Sequence, residues 1–445
     1  MSETDEFDAI VVGSGITGGW AAKDLCERGL KVLVLERGRN VEHGTGYTTE
    51  HLPPWQVVDR GLPQRERIAR DYAIQSQGRS FDPFTMHYWN NDRENPYAQT
   101  EGKPFNWLRA NVVGGKSLMW GRQSYRWSDL DFEANKRDGH GCDWPIRYAD
   151  IKDWYSYVEK FIGVSGEALG LPQLPDGEFQ PPMQLNVVEQ AFRKGVESRW
   201  PGRRVTIGRV ANLTQPIGDR AACHYCGPCA RGCTAGAYFS SQSSTLPAAR
   251  KTGNLTLHPD SVVERLEYDP RRGRVTAVHV IDSQTLARRR HTAKMVFLCA
   301  STYATNQLLL NSRSEAFPNG LANGSGTLGR YIMDHMHGHG GTAEIPGFES
   351  KYYFGNRPNT LYLPRVRNLG GTDDGVDFVR GYGYQGLAAP DDWNATWNST
   401  PGFGADYKRA LRHPGQWRMF LLAFGECLPY EDNRVVLDGP ADRLG

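Results

Sequence analysis

No apolar run in this chain approaches the ~18 residues that a membrane-spanning helix needs; runs such as Ile10 to Val12 and Phe420 to Phe424 are a fraction of that length. Neither charge is in excess. The 52 Lys and Arg against 50 Asp and Glu leave +2, which excludes partners recruited by charge alone, nucleic acid and anionic membrane surfaces first among them. The N-terminus, "MSETDEFDAIVVG", has neither the basic start nor the apolar stretch of a secretory leader. The chain is therefore expected in the cytoplasm, or in the periplasm by co-export with a signal-bearing subunit. A disulfide framework is missing as well, since four of the eight cysteines (Cys26, Cys142, Cys299 and Cys427) stand alone.

What is present is a globular composition, 39% hydrophobic and 23% charged, in 445 residues. That length suggests about two or three domains. Residues 7 to 38, "FDAIVVGSGITGGWAAKDLCERGLKVLVLERG", read as strand, turn, helix and strand. Gly13, Gly15 and Gly18 give the G-x-G-x-x-G spacing. In a dinucleotide site the first glycine makes a tight turn and the second lets the backbone approach a pyrophosphate. The third lets helix and strand pack closely, with the helix N-terminus facing the phosphates. Glu36, followed by Arg37, closes the second strand where an acid can hold ribose hydroxyls.

A second glycine signal lies in "NWLRANVVGGKSLMWGRQSYRWSDLDF", residues 106 to 132, where Gly114, Gly115 and Ser117 offer bare backbone to a flat ring. This stretch resembles the glucose-methanol-choline (GMC) oxidoreductase family. So do "TGNLTLHPDSVVERL" (252 to 266), "AKMVFLCASTYATNQLLLNS" (293 to 312) and "GTLGRYIMDHMHGH" (326 to 339), in the family's order. The resemblance implies an α/β fold: a Rossmann-like FAD-binding domain over 1–130 and 216–315, and a discontinuous α+β substrate domain over 131–215 and 316–445. It implies FAD rather than NAD, held by Gly13, Gly15, Gly18, Glu36, Arg37, Gly114, Gly115 and Ser117, with Val263, Ala300 and Ser301 completing the surroundings. Relatives that bond the flavin covalently carry a histidine where this chain has Met119, so FAD is expected to be non-covalent. The family's histidine base and closing strand fall beyond Gly445. No residue here is expected to be the base, and the substrate domain is expected to be incomplete at its C-terminus.

"ACHYCGPCARGC", residues 222 to 233, places Cys223, Cys226, Cys229 and Cys233 in the spacing C-x2-C-x2-C-x3-C of bacterial ferredoxins. Three readings compete with an iron-sulfur cluster. Zinc usually takes its cysteines in two separated pairs, neighbouring thiols can form disulfides, and many relatives carry a similar stretch as plain scaffold. Thr234 stands where the ferredoxin run has proline, so both a 3Fe-4S and a 4Fe-4S cluster remain open. Resemblance to sugar dehydrogenases of the family implies such a cluster passing electrons to a small accessory subunit or a cytochrome c.

On the substrate side, Ile151, Trp154, Tyr155, Val158 and Phe161 recur at helical spacing within 144–166 and predict a helix whose stripe serves the core. His335, His337 and His339 alternate in "HMHGH", for which packing and hydrogen bonding are the default reading. "RPNTLYLPRVRNL" and "FVRGYGYQG" resemble bacterial glucoside 3-dehydrogenases, which implies a sugar or glycoside oxidised at C3 to a ketone. The alternatives are an alcohol or sterol oxidoreductase with structural cysteines, and a non-catalytic FAD-binding component of an electron-transfer complex.

Overall fold

The computed structural model describes residues 7–351, 355–370, 375, 377–391, 401–412, 415–440 and 442–444. Two sheets organise them. The first has six strands: β1 (Phe7–Val12), β2 (Val32–Leu35), β4 (Leu255–His258), β5 (Ser261–Asp269), β6 (Arg274–Asp282) and β7 (Arg288–Leu298). Their order is β4-β2-β1-β7-β6-β5. The β4-β2-β1-β7 part is parallel, with Ala9 opposite both Val32 and Met295, while β7, β6 and β5 form an antiparallel meander.

The apolar runs "AIVV" and "VLVL" suit strands buried on both faces. Side chains alternate, so Ala9, Val11, Val32 and Val34 pack against Ala22, Cys26 and Ala249 on one face. Ile10, Val12, Leu33 and Leu35 pack against Leu266, Val278, Val280 and Leu308 on the other. Each fully buried aliphatic side chain contributes about 1.5–3 kcal/mol, so this core is the main reason the sheet holds. Helix α1 (Ile16–Glu27) follows β1 and lies over the first of these faces.

The second sheet is antiparallel, in the order β3 (Thr206–Ile207), β9 (Leu361–Leu363), β10 (Gly383–Pro390), β11 (Trp417–Glu426) and β8 (His335–Ile345). Its core gathers Ile207, Leu361, Ala388, Trp417 and Met419 against Val188 and Val196 of the helix Val187–Arg199. An α/β Rossmann-like half joined to a mixed second half is thus the observed architecture.

The helix expected within 144–166 runs Tyr148–Ile162. Its stripe is only partly core. Val158 and Phe161 pack beside Trp20 of α1, whereas Trp154 is 58% exposed. The reason is local: the side chain of Lys23 occupies the seam, with its Nζ 4.5 Å from the Phe161 ring centre and 2.7 Å from both Glu27 Oε2 and Tyr157 Oη. In the "HMHGH" segment the His335 ring meets Phe424 edge-on at 6.3 Å, a packing contact, and the side chain of His337 lies outside the described residues.

Candidate functional site

The turn after β1 explains its own glycines. Gly13 has φ +95°, and a Cβ there would come within 2.6 Å of the Cys299 carbonyl oxygen. A Cβ on Gly18 would overlap the Gly13 carbonyl, so α1 can approach the turn only without one. Gly15 differs, because nothing lies within 4 Å of the place its Cβ would occupy. It caps α1 without a side-chain hydrogen bond, so no capping side chain takes up the first N–H groups of the helix. That is the arrangement of an anion-receiving helix start.

The second glycine pair is brought to the first. A Cβ on Gly115 would have Gly15 Cα as its nearest neighbour, at 3.7 Å, and both Gly114 (φ +84°) and Gly115 (φ +51°) have left-handed backbones. Ser14 ties the two loops together: its hydroxyl donates to Glu36 Oε2 at 2.6 Å and accepts from the Gly114 N–H at 2.8 Å. Glu36 also accepts from Ser14 N at 3.0 Å and Gly38 N at 2.9 Å, and burial pushes its carboxyl above the usual carboxylate range. Ser117 Oγ donates to the Gly114 carbonyl at 2.6 Å, bracing the loop from within.

The remaining predicted residues surround this centre. Ser261 N donates to the Glu36 carbonyl at 2.8 Å, which starts β5 beside Glu36 and sets Val263 two positions on. Ala300 packs beneath Gly13, and Ser301, at φ 71°, opens the helix Thr302–Asn311. Arg37 donates to Asn95 Oδ1 at 3.0 Å; Arg109 holds the Asn95 carbonyl at 2.6 Å and stacks 4.5 Å over Trp107.

Sequence reasoning missed the buried stretch 240–245, "SSQSST". Ser241 Oγ donates to the Gly15 carbonyl at 3.0 Å, and Gln242 Nε2 donates to the Val113 carbonyl. Thr245 Oγ1 and Gln242 Oε1 are buried without a partner among the described residues. Six uncharged polar residues in a row, all buried, were the available signal.

The four clustered cysteines lie on a loop closed at its neck, where Ala221 N donates to the Ala235 carbonyl and Cys223 N to the Leu213 carbonyl, both at 2.8 Å. All eight cysteines are free thiols, so the disulfide alternative is absent here. Glu50 clamps the loop by accepting from Thr234 N at 2.9 Å and from its hydroxyl. A proline in place of Thr234 could not make the first of those bonds. On the other side, Asn356 N donates to the Tyr225 carbonyl at 2.7 Å. Burial raises the thiols of Cys223 and Cys226 and pushes Cys229 up to about 11. The donor set is right for iron and sulfur, yet among the described residues no three Cys, His, Asp or Glu side chains come together in a group that could hold a metal ion. The loop as it stands does not fit a preformed cluster.

A parallel sheet with a glycine turn at the start of α1 and a second glycine loop against it defines a dinucleotide-binding oxidoreductase fold. The chain belongs to the GMC oxidoreductase family, whose model matches residues 7–337. Among its relatives, 2-methyl-1,2-propanediol dehydrogenase of Mycolicibacterium austroafricanum is 27% identical over 99% of this chain and 75% of that protein. The fructose dehydrogenase large subunit of Gluconobacter japonicus is 25% identical over 75% of this chain and 59% of that one. An FAD-bearing formate oxidase of Aspergillus oryzae RIB40 superposes with a TM-score of 0.51 at 13% identity, covering 95% of this chain and 73% of its own, which speaks for the fold. The chain thus spans three quarters of the first relative and about three fifths of the second. FAD is the cofactor that this family and fold bring, and the uncapped helix start, bare Gly15 and unpartnered Thr245 and Gln242 oxygens fit it. No described helix is long and apolar enough to cross a membrane.

Proposed function

We propose that this protein is an FAD-dependent dehydrogenase that oxidises a hydroxyl of a sugar or glycoside, at C3, to a ketone. The observation that carries the reading is the meeting of the two glycine loops, Gly115 against Gly15, with Glu36 beside them. In the proposed assignment Gly13, Gly15 and Gly18 let the pyrophosphate lie on the start of α1, while Glu36 and Arg37 serve the ribose end. Gly114, Gly115 and Ser117 form the wall against the ring system, and Val263, Ala300 and Ser301 complete the surroundings. FAD supplies hydride acceptance; the chain's part is to bind and orient it and to exclude water around it. Met119, buried beside the second loop, has a thioether that cannot make the histidyl bond, so the cofactor is taken as non-covalent.

The residue ranges 1–130 with 216–315, and 131–215 with 316–445, are proposed as cofactor and substrate domains. Cys223, Cys226, Cys229 and Cys233 are proposed as ligands of a 3Fe-4S or 4Fe-4S cluster that the loop would have to rearrange to receive, with an accessory subunit or cytochrome c as the electron acceptor. The fructose dehydrogenase relative is a large subunit, which supports an accessory partner. A cytoplasmic or co-exported periplasmic setting is equally part of this proposal.

A second reading, an alcohol or sterol oxidoreductase with structural cysteines, is favoured by the Glu50 clamp and by the lack of a metal-holding group among the described residues. One preparation separates the two. Flavin released by acid, iron in stoichiometric amount and dye reduction with glucosides support the first reading. Flavin without iron, and turnover of simple alcohols in preference to glucosides, would establish the second.

A further inference from the structure

Lys116 follows Gly115 in the short turn Gly115–Leu118, where the residues after it, Ser117, Leu118 and Met119, are all buried. Lys116 alone is exposed. The protein around it is nevertheless dense enough that burial lowers its ammonium, with the Asp334 charge acting the other way. A side chain that water reaches and protein also surrounds stands in a hollow. Among the described residues its ammonium donates no hydrogen bond and forms no ion pair.

Three segments meet around it. Gly115 brings Lys116 to Gly15, at the uncapped start of α1. The helix Thr302–Asn311 starts beside Gly13, where a Cβ would sit 3.1 Å from Ala300 Cα. Asp334, leading into β8, is the charge that acts on both Lys116 and Tyr303 of that helix. None of these groups pairs with the ammonium. The Asp334 carboxylate accepts from His335 N at 2.6 Å, and burial, with the Asp334 charge, pushes the Tyr303 hydroxyl up to about 12, so it is neutral. The first turn of α1, Ile16 to Gly19, has no charged side chain, and Arg37 is taken up by Asn95. Lys116 is thus a cation without an ion-paired partner at the junction of the two glycine loops.

We propose that the Lys116 ammonium binds the pyrophosphate of FAD, supplying the positive charge that the first glycine turn lacks; the assignment rests on FAD being the cofactor. The pyrophosphate carries two negative charges, whereas a helix start offers about half a positive one. A lysine from the adjoining loop makes up part of the difference, and a hydrogen bond between ammonium and phosphate is roughly twice as strong as a neutral one. The ring system of oxidised FAD is uncharged, so the contribution is confined to the phosphate end of the cofactor.

The test titrates the full chain, stripped of flavin, with three probes: FAD, ADP, which has the pyrophosphate without the ring, and riboflavin, which has the ring without the phosphates. Lys116→Gln is expected to weaken FAD and ADP about tenfold or more and to leave riboflavin within about twofold. Lys116→Arg should restore most of the loss, and the fall in FAD affinity with added salt should be shallower in Lys116→Gln than in the wild type. Unchanged FAD and ADP affinity in Lys116→Gln, or an equal loss for riboflavin, would overturn the assignment. Labelling of the wild type with acetic anhydride needs no variant: ADP should protect Lys116 in peptide mass spectra, and equal labelling with and without bound ADP counts against the contact. A wild-type chain that binds no FAD at all refutes the cofactor reading itself, and the role of Lys116 with it.

Discussion

The Ser14 hydroxyl donates to Glu36 at 2.6 Å while accepting from the Gly114 N–H, so one oxygen links the first glycine turn, the end of β2 and the second glycine loop. Ser14→Ala removes both bonds and leaves a buried carboxylate and a buried N–H short of partners. The expected cost is about 1–3 kcal/mol in urea denaturation, with weaker flavin retention. A variant as stable as the wild type would mean that Ser14 is not the tie.

Gly15 and Gly18 should part company when each becomes alanine. The Gly15 Cβ meets nothing within 4 Å, so Gly15→Ala is expected to fold with near-native stability and to lose FAD affinity, because the methyl fills the space left for the pyrophosphate. Gly18→Ala collides with the Gly13 backbone and should lower the melting temperature even without flavin. Equal flavin binding by Gly15→Ala and wild type, measured by fluorescence titration, counts against the assignment.

The Cys229 thiol, pushed up to about 11 by burial, is protonated at neutral pH in the metal-free chain. Its alkylation by iodoacetamide should climb about tenfold per pH unit through the alkaline range, as a thiolate reaction does. The sign for stability follows. The unfolded chain loses this proton first, near the ordinary thiol value of 9.0, so Cys229 costs stability as pH rises from there to about 11. A rate plateau near pH 7, read by peptide mass spectrometry, would contradict the burial of this thiol.

Arg357 and Glu189 form a buried two-pronged pair, 2.6 Å and 2.7 Å, that joins the strand side of the second sheet to the helix Val187–Arg199. Arg357→Met strands the Glu189 charge and is expected to destabilise by about 3–5 kcal/mol. Adding Glu189→Met should recover part of the loss. If the double variant is worse than the single one, charge burial is not the cause.

Much of the first sheet was legible because its signals are local: Gly13, Gly15, Gly18 and Glu36 sit within one strand-helix-strand unit, whose periods differ along the sequence. The ties between units were not. Ser241 reaches the Gly15 carbonyl and Glu50 reaches Thr234 across long stretches of chain, and a serine or glutamate carries no mark of which distant backbone it will serve. Trp154 misled for a related reason. Helical spacing shows which residues share a face but not that Lys23 fills the seam below them. The second sheet was legible only as a region, since its five strands pair out of chain order.

The place of β7 beside β1 also bears on how the chain is made. The meander of β5, β6 and β7 is contiguous in the chain, but β1 pairs with β7, the last strand of this sheet in chain order. Until Leu298 emerges, the β7 edge of "AIVV" is an open, sticky strand exposed to wrong partners. Nascent chains stalled before residue 288 should therefore bind holdase chaperones and be cut by protease within residues 7–35, whereas chains released past residue 311 should not. Protection of the shorter chains would show that β1 and β2 are stable before their late partner arrives.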